Sequence, residues 1–341
     1  MKIVYLVPRS TYELKMSRVR FQQMHAIGER VPVVITGPGF ERPILPSHRP
    51  SYDMPVECPA WESTFSPAEN VARIRIGDDR AELVVVYGVE DLAGMHCPIA
   101  TQYNEADDVL KVSQYVSHNR ISLVVFHHQN DTVHYPWPSA AVEAVHIPHC
   151  ADTRVCRDWS ENARRASDKP VDILVAGNMS QFFYPFRFRL RGLALGWFKK
   201  RGYRVRVLDH PGYTLPPRDG TLIGEAFARA INDAKLVFTC SMRFNYALAK
   251  YSEIAACRSL AVGDLPGERH EHFAKSILNV EPWMTDEQIT RKIEDVLDDE
   301  SGLLHTLTEE SYDRSRAYTM GKYAQRFLAA AKEHLHRKGV S

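Results

Sequence analysis

At 341 residues the chain is long for one domain and comfortable for two, and 44% hydrophobic against 25% charged residues is ordinary for a globular protein that needs no staples. A net charge of +1 asks for neither nucleic acid nor an acidic membrane, although residues 1–150 carry −4 and the remainder +5, which suits an anionic ligand held by the second half. The six cysteines form no C-x-x-C pair and no common zinc spacing, and no apolar run approaches the roughly 18 residues of a membrane span, so the expected setting is cytoplasmic with reduced thiols.

The chain opens on MKIVYLV, a buried-strand pattern too short for a signal peptide. Apolar runs predict strands at 2–8, 31–36, 82–87, 98–101 and 122–126. The continuous runs LVVVY and LVVF suit strands covered on both faces. Val19, Met24 and Ile27 fall on one stripe and predict a helix over 16–30. Residues 37–70 hold Pro38, Pro43, Pro46, Pro50, Pro55 and Pro59 and read as an irregular excursion. The polar stretch SENARRASDKP at 160–170 reads as a linker.

Beyond it the alternation restarts, with strands predicted at 173–177, 203–209, 235–241 and 259–264. Helices are predicted at 187–201 with Gly202 as cap, 224–234, 250–257, 286–297 and 323–335. Strand–helix alternation in two halves predicts an α/β fold of two Rossmann-like, doubly wound domains facing each other across a cleft.

Such sheets bind ligands beyond the carboxyl ends of their strands. Neither half carries G-x-G-x-x-G or the P-loop, which argues against a dehydrogenase, a kinase or an ATPase. In the segment 250–264, Lys250 and Glu253 share one helix face, where they form either a solvated ion pair or a diphosphate-and-ribose pair. The small residues Ile254, Ala255 and Ala256 imply close packing behind them and favour the second. His127, His128, His134, His146, His149 and Cys150 cluster in sequence, yet without the i,i+4 helical spacing of a zinc enzyme, so no metal site is expected. His127 and His128 follow a buried strand and should point toward the cleft. The basic run 187–206 alternates with Phe, Leu and Trp and reads as a solvated face rather than a nucleic-acid surface.

NDAKLVFTCS (232–241) and KYSEIAACRSLAVGD (250–264) resemble the nucleotide-sugar-binding segment of the group-1 retaining glycosyltransferases of GT-B fold, closest to their CgeB-like branch. VHIPHCADTRV (145–155) looks like the segment that closes the family's first domain, and GNMSQFFYPFRFRL (177–190) like the opening of its donor domain. The resemblance implies an acceptor-side domain over 1–165, a donor domain over 166–318, and a helix over 319–341 that crosses back to the first. It assigns Glu253 to the ribose, Lys250 and Arg187 to the diphosphate, and Gly177 and Asn178 to the phosphate loop. Leu222, Ile223 and Gly224 fall on the base-binding loop, and Glu105, His127 and His128 become the candidate catalytic and acceptor contacts. Asn245 stands where many relatives carry a further glutamate.

The implied activity is transfer of a sugar from a nucleoside diphosphate sugar to a hydroxyl acceptor, with retention. The nucleotide-sugar is a substrate and no cofactor is implied; nucleic acid stays open only as acceptor. The alternatives are a nucleotide-sugar epimerase of the same fold and a non-catalytic nucleotide-sugar-binding protein. With Lys and Arg in place of a cation and no D-x-D pair beside a strand end, donor binding is expected to survive excess EDTA. Chelator-sensitive binding restored by manganese or magnesium would overturn that expectation.

Overall fold

The apolar runs of the first half become strands because their β-branched residues are buried on both faces. They are β1 (Ile3–Leu6), β2 (Val33–Thr36), the short β3 (Val56–Glu57) and β4 (Arg75–Ile76), β5 (Leu83–Val86), β6 (Ile99–Tyr103), β7 (Leu123–Phe126) and β8 (Glu143–His146). The structure is a computed structural model and describes residues 1–13, 18–46, 56–103, 108–134, 142–160, 165–212 and 220–340. Six strands form a parallel sheet in the order β2-β1-β5-β6-β7-β8, and β3 and β4 form a separate antiparallel ribbon. All four residues of β1, β2, β5 and β7 are buried, as expected of strands with helices on both sides.

The helices of this unit are α1 (Arg9–Glu13), α2 (Arg18–Gly28), α3 (Pro67–Ala72), α4 (Val109–His118) and α5 (Gln129–His134). The proline-rich excursion ends sooner than its composition implies. Ser66 accepts from Glu69 N while Glu69 returns a bond to Ser66 N, and this capping box with Pro67 at the first helical position starts α3.

The second unit holds β9 (Val171–Ala176), β10 (Val205–Leu208), β11 (Ala234–Phe238), β12 (Leu260–Gly263) and β13 (Ile277–Asn279), all parallel in the order β10-β9-β11-β12-β13. Its helices are α6 (Pro185–Leu193), α7 (Gly224–Asn232), α8 (Ala249–Ala256), α9 (His270–Phe273), α10 (Asp286–Leu297) and α11 (Leu303–Ser315). The helix expected over 187–201 is not continuous: α6 passes into a wide π turn at Ala194–Phe198 and a 3-10 turn at Lys199–Arg201, which ends on Gly202 at φ 90°.

The two units are Met1–Pro148 with Met320–Ser341, and His149–Thr319. The boundary therefore falls before the polar stretch expected to be the linker. Ala151 and Cys156 belong to the second core, Ala151 N donates to Tyr318 O at 2.8 Å, and Trp159 N donates to Asn232 Oδ1 at 3.2 Å. These contacts tie the segment to the second unit before its composition turns polar.

The terminal helix α12 (Met320–Arg337) belongs to the first unit, where it packs on α2. Its apolar stripe buries Tyr323, Ala324, Phe327, Leu328, Ala331 and Leu335. Polar bonds fix its register. Gln102 Nε2 donates to Tyr323 Oη at 2.7 Å, while the His334 ring lies 2.9 Å from Ser122 Oγ and 2.8 Å from Glu143 Oε2.

In the second sheet, Gly263 ends β12 against the neighbouring strand end. A Cβ there would lie 2.5 Å from Thr239 O, a backbone atom that cannot swing aside. Gly263→Ala should destabilise the protein by about 1–3 kcal/mol, seen as a lower urea midpoint at unchanged m-value.

Candidate functional site

Strand order reverses in the second sheet between β9 and β11, because β10 lies on one side of β9 and every later strand on the other. The carboxyl ends of those two strands make the crevice where a doubly wound sheet takes its ligand. Gly177 and Asn178 leave β9 there, and Thr239, Cys240 and Ser241 leave β11.

Arg187 projects from the first turns of α6 into this crevice and is 3% exposed. Its Nη1 donates to Asn178 O at 3.3 Å, its Nη2 to Thr239 Oγ1 at 3.4 Å, and its Nε has no partner. Gly177, at φ 108°, makes room: a Cβ there would lie 2.8 Å from Nη1. The ring of Tyr184 lies 4.5 Å from the guanidinium carbon. Among the described residues no carboxylate comes within ion-pair distance of Arg187. Three long or missing bonds around a buried cation leave most of its hydrogen-bonding capacity unused.

The loop from Gly177 does not open α6 directly. Asn178 Oδ1 accepts from Ser180 N at 2.9 Å, Tyr184 N bonds back to Ser180 O, and the helix starts at Pro185. Gly177 and Asn178 thus stand at the crevice, without a helix N-terminus immediately behind them.

Lys250 and Glu253 stand in α8 and form an ion pair of 2.8 Å, their side chains 18% and 21% exposed. This is a half-buried pair rather than a solvated one. Lys250 Nζ also sits 4.3 Å from the centre of the Phe227 ring in α7. The same helix begins at Gly224, with φ 58°, after Ile223, which provides no side-chain cap. Leu222, Ile223 and Gly224 are thus joined to Lys250 and Glu253 through Phe227, a residue that sequence reasoning missed although it is the aromatic one turn into a helix of small residues.

Asp264, just past β12, stands at a strand end where ligands are expected, although the sequence assigns it no role. It is 8% exposed and accepts from Ser241 N at 2.9 Å and from Ser241 Oγ. Burial pushes its carboxyl above the usual range, against the pull of the two Ser241 bonds and of the nearby Arg187 guanidinium. The clue in the sequence is only the strand-ending Gly-Asp.

In the first unit, His127 and His128 follow β7 and are buried. The His127 ring is turned inward instead of outward. Its Nδ1 donates to Ile147 O at 2.9 Å and its Nε2 lies 3.1 Å from Gln23 Nε2, with the Tyr323 ring 5.6 Å away. Burial drives its pKa down to about 3, so the ring is neutral. Glu105 lies outside the described residues, as does most of the stretch between His134 and β8. Among the described residues no group of His, Cys, Asp and Glu is arranged to hold a metal ion, and no helix is long and apolar enough to cross a membrane. A recess of about 660 Å³ lies at the opposite, amino-terminal ends of the second sheet. Its charges pair among themselves, Lys235 with Asp172 at 2.8 Å and Arg201 with Glu294 at 3.7 Å, so it is not the candidate site.

No family model matches the sequence, and no curated protein matches it. Solved structures do match in fold. An alpha-glucosyltransferase in complex with UDP gives a TM-score of 0.65 at 11% identity, over 97% of this chain and 99% of that one. Sucrose-phosphate synthase from Thermosynechococcus elongatus gives 0.60 at 11% identity, over 98% of each chain. A protein from Anabaena, HepE in complex with UDP and glucose, gives 0.57 at 11% identity, over 98% of this chain and 100% of that one. At such identities the likeness is one of fold, and the fold is that of the GT-B structures: two Rossmann-like α/β domains, each built on a parallel sheet.

The buried imidazole has a measurable consequence. His127 is neutral when folded but binds a proton below about 6.5 when unfolded, so the unfolded state holds more protons across the window from 6.5 down to about 3. Stability should therefore fall with pH across that window, and His272, held near 4 by burial, adds to the same slope. In His127→Gln, urea midpoints measured from pH 7 to pH 4 should show a shallower acid limb. An identical slope would show that His127 takes up its proton in the folded state.

Proposed function

We propose that the protein is a glycosyltransferase that moves a sugar from a UDP-sugar to a hydroxyl acceptor. The observation that carries this reading is Arg187, a buried guanidinium at the crevice between β9 and β11. It makes no ion pair among the described residues, has its Nε unbonded, and has the buried Asp264 as a nearby counter-charge. A cation is costly to bury alone, and an anion seated on it relieves that cost. A diphosphate is the anion that best fits its surroundings, since Lys250 stands at the start of α8 and Glu253 beside it can accept from a ribose diol. The UDP bound in the alpha-glucosyltransferase and in HepE supports the choice of nucleoside diphosphate.

On this reading the donor exchanges the Lys250–Glu253 ion pair for two charge-assisted contacts, Lys250 to the diphosphate and Glu253 to the ribose. Leu222, Ile223 and Gly224 border the base, and Gly177 and Asn178 border the phosphates. In the reaction the bond from the anomeric carbon to the diphosphate oxygen breaks and a bond to the acceptor oxygen forms. Arg187 and Lys250 neutralise the charge that develops on the leaving diphosphate. A phosphoryl oxygen takes the acceptor's proton, so the configuration is retained without a protein nucleophile, and side-chain cations replace a metal. The acceptor is assigned to the first unit with Glu105 as its contact, while His127 ties the end of β7 to Ile147 and Gln23.

A second reading, a nucleotide-sugar-binding protein without transfer, draws on Asn245. It stands where the family that the sequence resembles often carries a glutamate, and its Oδ1 accepts from Gly267 N at 2.8 Å. Transfer to any hydroxyl acceptor, detected as released UDP, separates the two.

Glu253→Ala and Lys250→Ala should each weaken UDP binding at least tenfold in calorimetry, since a hydrogen bond to a charged partner contributes about 1.5–3 kcal/mol. Their circular dichroism should match the wild type. UDP affinity unchanged in both variants would remove the assignment.

A further inference from the structure

We propose that Asp264 is a positioning residue of the nucleotide site, a buried carboxylate that clamps the segment leading into α8 and so sets where Lys250 and Glu253 stand. The inference rests on the donor-site reading above. Between the end of β11 at Phe238 and the start of α8 at Ala249, the chain holds two non-glycine residues in the left-handed region, Met242 at φ 63° and Asn245 at φ 60°. Such backbone persists only where its surroundings hold it.

Asp264 holds both ends of that segment. Its carboxylate accepts from Ser241 N at 2.9 Å and from Ser241 Oγ, at the entry. Its backbone carbonyl accepts from Tyr251 Oη at 2.8 Å, in the first turn of α8 and next to Lys250. Between these grips the segment closes on itself, with Tyr246 N bonded to Ser241 O at 2.7 Å, and Asn245 Oδ1 accepts from Gly267 N at 2.8 Å on the far side. An apolar residue at 264 would be cheaper to bury than a carboxylate. What it would lack is an acceptor for two donors of one strained turn at once.

The test uses the full chain, with UDP as the probe. In calorimetry Ser241→Ala and Asp264→Ala should each weaken UDP about tenfold, and the double variant should be no weaker than the worse single, because both remove one shared interaction. Amide exchange should quicken over residues 241–256 and stay unchanged in β9 and β10. Losses that add, UDP affinity unchanged in a folded Ser241→Ala, or exchange that rises throughout the second unit would each overturn the clamp. Ser241→Ala deletes a single hydroxyl and decides alone where Asp264→Ala does not fold. A wild-type chain that binds no UDP removes the donor reading and the clamp together. Tight wild-type binding with unaffected variants removes the clamp only.

Discussion

Parallel strands that are apolar on both faces impose the rest of this architecture. Each strand must be followed by a crossover that covers one face of the sheet, so each carboxyl end hands the chain to a loop. Leu83–Val86 and Leu260–Gly263 show the constraint plainly, since every residue of each is buried. Buried polar side chains gather toward those ends. Thr239, Ser241 and Asp264 do so in the second sheet, and His127, with Gln102 near the end of β6, in the first.

The two sheets use that polar edge differently. In the first, Gln102, His127, Gln23 and Tyr323 bond mainly to one another and to backbone, which ties α2 and α12 to the strand ends. In the second, Arg187 has weak or missing partners, and Lys250 and Glu253 neutralise each other at a half-buried surface. The first cluster is uncharged and ties helices to the sheet, although Gln23 Oε1 and Gln102 Oε1 keep no partner among the described residues. The second carries its charges at the strand ends.

Much of this arrangement was legible in the sequence where the signal was local. The helix Asp286–Leu297 was read to the residue, because Ile289, Ile293 and Val296 mark its stripe and Thr285 with Gln288 caps it. Strands with long apolar runs were found, whereas Glu143–His146, half-buried along its length, and the three-residue Ile277–Asn279 carry too little pattern to be seen. Proline content concealed the start of α3, although Ser66 and Glu69 spell a capping box. At the site, Lys250 and Glu253 were visible from their spacing. Phe227 beneath Lys250 and Asp264 beside Ser241 depend on pairings more than 20 residues apart, which no local pattern reports. The compact units divide ahead of the polar stretch for a related reason: composition marks where the chain turns polar, but contacts through Ala151 and Trp159 decide which core a segment joins.

The attachment of Met320–Arg337 to the first unit also orders events during synthesis. The second unit spans His149–Thr319 and has its whole sequence outside the ribosome before the terminal helix emerges. The first unit is made earlier yet lacks Tyr323, Phe327 and His334 until the whole second unit has been made, so Gln102 and the face of α2 wait without their partners. Domains usually fold in the order in which they are made. Here the later one is equipped to finish first, and the nascent first half must stay soluble with part of its core unfilled.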